Sequence, residues 1–149
     1  MDLNAVCTAM SNAAATITLP AGSGALTCYP ILPDSVVVPC FFLADITQQF
    51  DGAFQRGMDT VETTWRVLVG RSDDVSAQTL LRSLISGSGS YSLKTALESA
   101  RHNSTGGKGL SGACDDYQVS RVQGYGWYEH DGIQYAGAEL VITIVGSGV

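Results

Sequence analysis

A chain of 149 residues is long enough for one hydrophobic core and too short for two, and 45 % apolar residues exclude wholesale disorder. Eight Lys+Arg stand against fourteen Asp+Glu, a formal charge of −6, and the cations are scattered singly, which argues against a sequence-independent grip on nucleic-acid phosphates. Charged residues make up only 15 %, below the roughly 25 % usual for soluble chains, which fits a surface partly covered by partner proteins and equally a mildly hydrophobic monomer.

In chain order, residues 2–15 read as a helix. Asp2 is its cap, and Leu3, Val6, Cys7, Met10 and Ala14 form one apolar stripe. Residues 25–31 and 36–44 read as strands, with Pro39 placing the second at an edge or a bulge, because proline cannot donate to a ladder. From Thr60 to Val69 the pattern alternates strictly, with Val61, Thr63, Trp65, Val67 and Val69 on one face and Glu62, Thr64 and Arg66 on the other. Two short helices follow, the first capped by Ser72 or Asp73 and buried through Ala77, Leu80, Leu81 and Leu84. The second is capped by Ser92 and buried through Leu93, Ala96, Leu97 and Ala100, with Glu98 in reach of Arg101 and His102. Residues 103–112 read as a mobile glycine-rich loop. Tyr117 to Tyr128 and Ile133 to Val145 then read as a long hairpin turning at Asp131-Gly132, its second strand apolar on both faces and therefore central. Helices segregated from mainly antiparallel strands predict a single α+β domain, a two-layer sandwich with three helices packed on the sheet.

No catalytic, cofactor or metal site is expected. The chain has only two histidines, His102 at a helix end and His130 in a turn, so a base beside a nucleophile is hard to assemble. The stretch from Gly87 to Thr95 resembles a phosphate loop superficially, but Leu93 stands where the glycine before Lys94 is required. The carboxylate pairs Asp73 and Asp74, and Asp115 and Asp116, lack other ligands at metal spacing. The N-terminus carries no basic leader and no apolar run approaches a membrane span, so an intracellular, reducing compartment is expected. Cys7, Cys28, Cys40 and Cys114 should then be free, buried thiols.

The stretch 45–60 joins two strong strands and exceeds the usual hairpin loop. It carries Phe50, Phe54, Arg56 and Met58 among polar residues, the composition of a subunit contact. These four are the candidate interface residues, on an extended hairpin arm.

Several phrases resemble the tail terminators (tail completion proteins) of long-tailed bacteriophages. They are Val-Val-Val-Pro-Cys-Phe-Phe at 36–42, Phe-Asp-Gly-Ala-Phe-Gln-Arg-Gly-Met-Asp at 50–59 and Trp-Arg-Val-Leu-Val-Gly-Arg at 65–71. Asp-Asp-Val-Ser-Ala-Gln at 73–78, Ser-Leu-Lys-Thr-Ala-Leu-Glu at 92–98 and the closing Tyr-Gly-Trp-Tyr…Tyr-Ala-Gly-Ala-Glu-Leu hairpin extend the likeness over most of the chain. The resemblance implies a virion structural protein at the head–tail joint, assembled in the host cytoplasm. It further implies a homohexameric ring that caps the tail tube, stops its polymerisation and meets a head-completion or connector protein, with DNA only passing through the lumen. The alternatives are a subunit of a neighbouring head-closure or connector ring and, from another class, a small hydrolase using His102 or His130.

Overall fold

The computed structural model describes residues 2–50, 57–71, 75–101 and 109–147. In chain order they form α1 (Leu3–Ala14), β1 (Thr27–Tyr29), β2 (Cys40–Gln49), β3 (Met58–Arg71), α2 (Val75–Ile85), α3 (Leu93–Glu98), a 3-10 turn (Leu110–Gly112), β4 (Asp116–His130) and β5 (Ile133–Ser147). The strands make one sheet in the order β1-β2-β3-β5-β4, antiparallel except for the short β1–β2 pair. The helices pack on one face, giving the expected α+β two-layer sandwich.

Alternation along β3 decides which face meets the helices. Val61, Thr63, Trp65, Val67 and Val69 are all buried, as their spacing predicts. The Trp65 ring stacks on Phe41 of β2 with centroids 4.8 Å apart and planes 6° from parallel. The one polar residue of that row is satisfied within the core: Trp65 Nε1 donates to Thr63 Oγ1 at 2.9 Å, and Thr63 Oγ1 donates to the Ile142 carbonyl at 3.2 Å. β5 lies between β3 and β4, the central place its two apolar faces predict. Its hairpin with β4 turns on Asp131 and Gly132, both at positive φ (53° and 79°), as a two-residue primed turn requires.

The helices follow their stripes. Val6, Cys7, Met10 and Ala14 of α1 are buried, and Asp2 caps the helix by accepting from the Asn4 amide at 2.9 Å. In α2 the buried residues are Ala77, Leu81 and Leu84, while its expected caps, Ser72 and Asp73, lie outside the described residues. Ser92 caps α3 as expected, accepting from the Thr95 amide at 3.3 Å. This helix stops at Glu98, and although the Arg101 amide still donates to the Glu98 carbonyl at 3.1 Å, the Arg101 side chain turns to Asp116. Glu98 pairs with Lys94 at 2.8 Å instead, and Arg101 forms a two-pronged pair with Asp116 at 2.7 and 2.9 Å.

Three expectations need correction. The second strand starts at Cys40 rather than Val36, directly after the cis Val38–Pro39 bond, and the first is only Thr27–Tyr29. Because β1 runs parallel to β2, the segment between them must cross back over the sheet. Val36 and Val38 there cover a second apolar cluster of Cys40, Phe42, Leu68 and Tyr135 on the face away from the helices. The run Val36-Val37-Val38 is thus a lid on the sheet and not part of it. Second, of the expected mobile loop 103–112, residues 103–108 lie outside the described residues and residues 109–112 are anchored. Leu110 is buried and its amide donates to the Ala100 carbonyl at 3.1 Å, fixing the 3-10 turn on the core. Third, much of the arm 45–60 is built into the sheet. β2 pairs with β3 from Asp45↔Thr64 to Gln49↔Thr60, and β3 is flanked there by β5 from Met58↔Ser147 onward.

Candidate assembly interface

Of the four candidate contact residues, Phe50 follows β2 directly and is 71 % exposed. Met58 opens β3 opposite Ser147 at the same end of the sheet. Phe54 and Arg56 lie outside the described residues. Because Phe50 is open to solvent, Phe50→Ala with Phe54→Ala should weaken self-association, while the Phe50 change itself shifts monomer stability by no more than about 0.5 kcal/mol. Sedimentation and thermal melts of the single and double variants check both expectations.

Further exposed apolar side chains stand elsewhere. Ile31, Leu32 and Val37 lie on the segment crossing from β1 to β2, and Tyr125 and Trp127 on the outward half of β4. Tyr125 sits between Gln78, whose Oε1 accepts from its hydroxyl at 3.3 Å, and the Arg82 guanidinium at 5.9 Å. Sequence alternation placed Tyr125 and Trp127 in a strand, but gave no sign that α2 would leave them about half exposed.

Beyond the crossing segment, the face of the sheet away from the helices is mostly polar, with Val141 buried among the polar side chains and Val145 beside Thr60. Thr60, Glu62, Thr64 and Arg66 of β3 lie beside Glu139 and Thr143 of β5 and Gln118, Ser120 and Arg121 of β4. Arg66 donates to Glu139 at 2.9 Å and lies 4.6 Å above the Tyr128 ring. Arg121 reaches Glu62 at 3.5 Å, and the Ser120 and Thr143 hydroxyls share a hydrogen bond at 2.5 Å. The two arginines in the middle of this face are therefore each matched by a glutamate. Neither is a bare cation waiting for phosphate.

Several residues of the other readings lie among the described residues. His130 Nε2 lies 3.1 Å from the Asp34 carbonyl oxygen, and its ring packs edge-on against Phe42. His102, Asp73 and Asp74 lie outside the described residues. Lys94 is held by Glu98, and the Ser92 hydroxyl donates to the Ser86 carbonyl at 2.5 Å. Among the described residues, no group of three or more His, Cys, Asp or Glu comes together as a metal site would need. No described helix is long and apolar enough to cross a membrane.

All four cysteines are free thiols; Cys7, Cys40 and Cys114 are buried as expected, while Cys28 is only half-buried. Burial pushes Cys28 and Cys114 up to about 11 and Cys40 to about 12, and raises Cys7 as well. The folded state thus favours the neutral thiols, a stabilisation complete below their ordinary value of 9.0 and lost as pH rises toward 11 to 12. The thermal midpoint should therefore be insensitive to these groups at neutral pH and fall above pH 9, in step with thiolate absorbance. Rapid alkylation of the native protein at neutral pH would contradict it.

No family model and no curated protein matches this chain.

Proposed function

We propose that the chain is a structural subunit of a long-tailed phage tail, a tail terminator whose ring caps the tube and presents a joining surface to the head. The observation that carries this reading is the open polar face of the sheet, with Arg66 and Arg121 already matched by Glu139 and Glu62. Such a face stays hydrated and offers passing DNA no unpaired cation in its middle, as a lumen wall requires. The phrases shared with tail terminators, the net charge of −6 and the exposed Phe50 at the end of the sheet support it further. Its action would be steric, with no turnover.

The test is to add the purified chain to polymerising tail tube protein and to measure tube length by electron microscopy, with sedimentation of the chain alone. Tubes of limited length carrying a ring at one end are expected. A strict monomer that leaves tube length unchanged overturns the reading, and binding to a portal or adaptor ring instead of the tube would make the chain a connector subunit.

A further inference from the structure

The sheet has two long free edges. β1 covers only residues 40–42 of β2, leaving 43–49 uncovered, and β4 is the opposite edge strand. Among the described residues no backbone hydrogen bond from outside the sheet reaches 43–49 or 117–130. Exposed edges are templates for another strand, and proteins usually blunt them with lysine, proline or a bulge. β4 carries bulges at Ser120 and around Gly124, so it is regular only up to Val119 and Arg121 stands just past the first bulge. Residues 45–49 of β2 hold neither lysine nor proline and lie beyond the bulge at Ala44.

The register carries the inference further. Read straight across the sheet, Asp45 pairs with Thr64, Thr64 with Val141 and Val141 with Arg121. In the same way Ile46 leads through Thr63 and Ile142 to Val119, and Thr47 through Glu62 and Thr143 to Gln118. The two free edges therefore stand at the same height along the strands. Since β2, β3, β5 and β4 alternate in direction, a second copy placed beside the first by rotation about an axis along the strands meets β4 with an antiparallel β2. Residues at one height would then match in chemistry. Asp45 meets Arg121 on the polar face, and Ile46, 38 % exposed, meets Val119 on the helix face.

We propose that chains associate through β2 residues 45–49 of one copy and the start of β4 of the next, extending one antiparallel sheet around the assembly. This deepens the ring reading above and rests on it, since a closed ring needs two different patches on every copy. One amide of each edge is held within the single chain: the Ile46 amide donates to the Asp45 carboxylate at 2.9 Å and the Tyr117 amide to the Asp116 carboxylate at 2.8 Å. Pairing would free Asp45 to meet the neighbour's Arg121.

The test is a Thr47→Cys, Gln118→Cys double variant of the full chain, oxidised and run on a non-reducing gel, with sedimentation in parallel. Within one chain the two positions are three strand spacings apart, about 14 Å, too far for a disulfide, whereas across the joint they would be neighbours. A ladder of covalent oligomers, absent from each single variant, is the expected result. Asp45→Arg should weaken association severalfold, with recovery on adding Arg121→Asp. Oligomers by sedimentation without a ladder would overturn this joint and leave the ring reading standing. A strict monomer, alone and with tube protein, would overturn both.

Discussion

Replacing Trp65 by alanine is expected to lower the unfolding free energy by about 3–5 kcal/mol, the range for deleting a fully buried aromatic. Three losses combine at this site. The ring is buried on the central β3 strand, it stacks on Phe41 at 4.8 Å, and its Nε1 supplies the hydrogen bond that satisfies the buried Thr63 hydroxyl. The stack alone is worth about 0.5–1.5 kcal/mol beyond burial. Trp65→Phe separates the terms, since it keeps an aromatic ring and removes the donor. Chemical denaturation of both variants should place Trp65→Phe well between wild type and alanine. Equal stability of the alanine variant and wild type would mean that the helix face of the sheet does not close as described.

Gly137→Ala is expected to be clearly destabilising although it adds one carbon. A Cβ at this position on β5 would lie 2.5 Å from the Val67 carbonyl oxygen and 2.7 Å from Leu68 Cδ2, and the first of these is backbone of the neighbouring strand. A carbonyl in a ladder cannot swing aside as a side-chain end can, so the strands must separate locally. Overpacking of this kind costs about 1–3 kcal/mol, and the strain falls where β3 is bulged between Leu68 and Gly70. Gly126→Ala is the control, because a Cβ there has nothing within 4 Å. The two variants should differ clearly in thermal midpoint.

The parts of this fold legible in the sequence were those governed by short-range pattern. The alternation from Val61 to Val69 identified both the strand and its buried face, and Asp131-Gly132 identified the hairpin turn. The caps Asp2 and Ser92 were equally readable, because capping is decided within three residues. The parallel β1–β2 pair was not readable. An apolar run such as Val36-Val37-Val38 has the same composition whether it lies within a sheet or across one. The proposed joint was hidden for a related reason. The shared height of Asp45 and Arg121 arises from three successive pairings, one of them, β3 with β5, between segments distant in sequence, which no local pattern encodes. For the candidate contact residues, aromatic composition pointed to Phe50, and the structure leaves that ring in solvent.

The position of β5 between β3 and β4 also governs how the chain acquires its shape. The β2–β3 and β4–β5 hairpins are local and can form early, but α2, α3 and all of β4 separate β3 from β5 in sequence. Their union closes a long loop before the Trp65 row is fully shielded, so the rate of folding should be set by the docking of two preformed hairpins and fall in the millisecond-to-second regime of non-local sheets. Until that docking occurs each hairpin presents a bare edge in the middle of the future sheet, which makes dilution and speed, rather than final stability, the conditions that decide the yield of native protein.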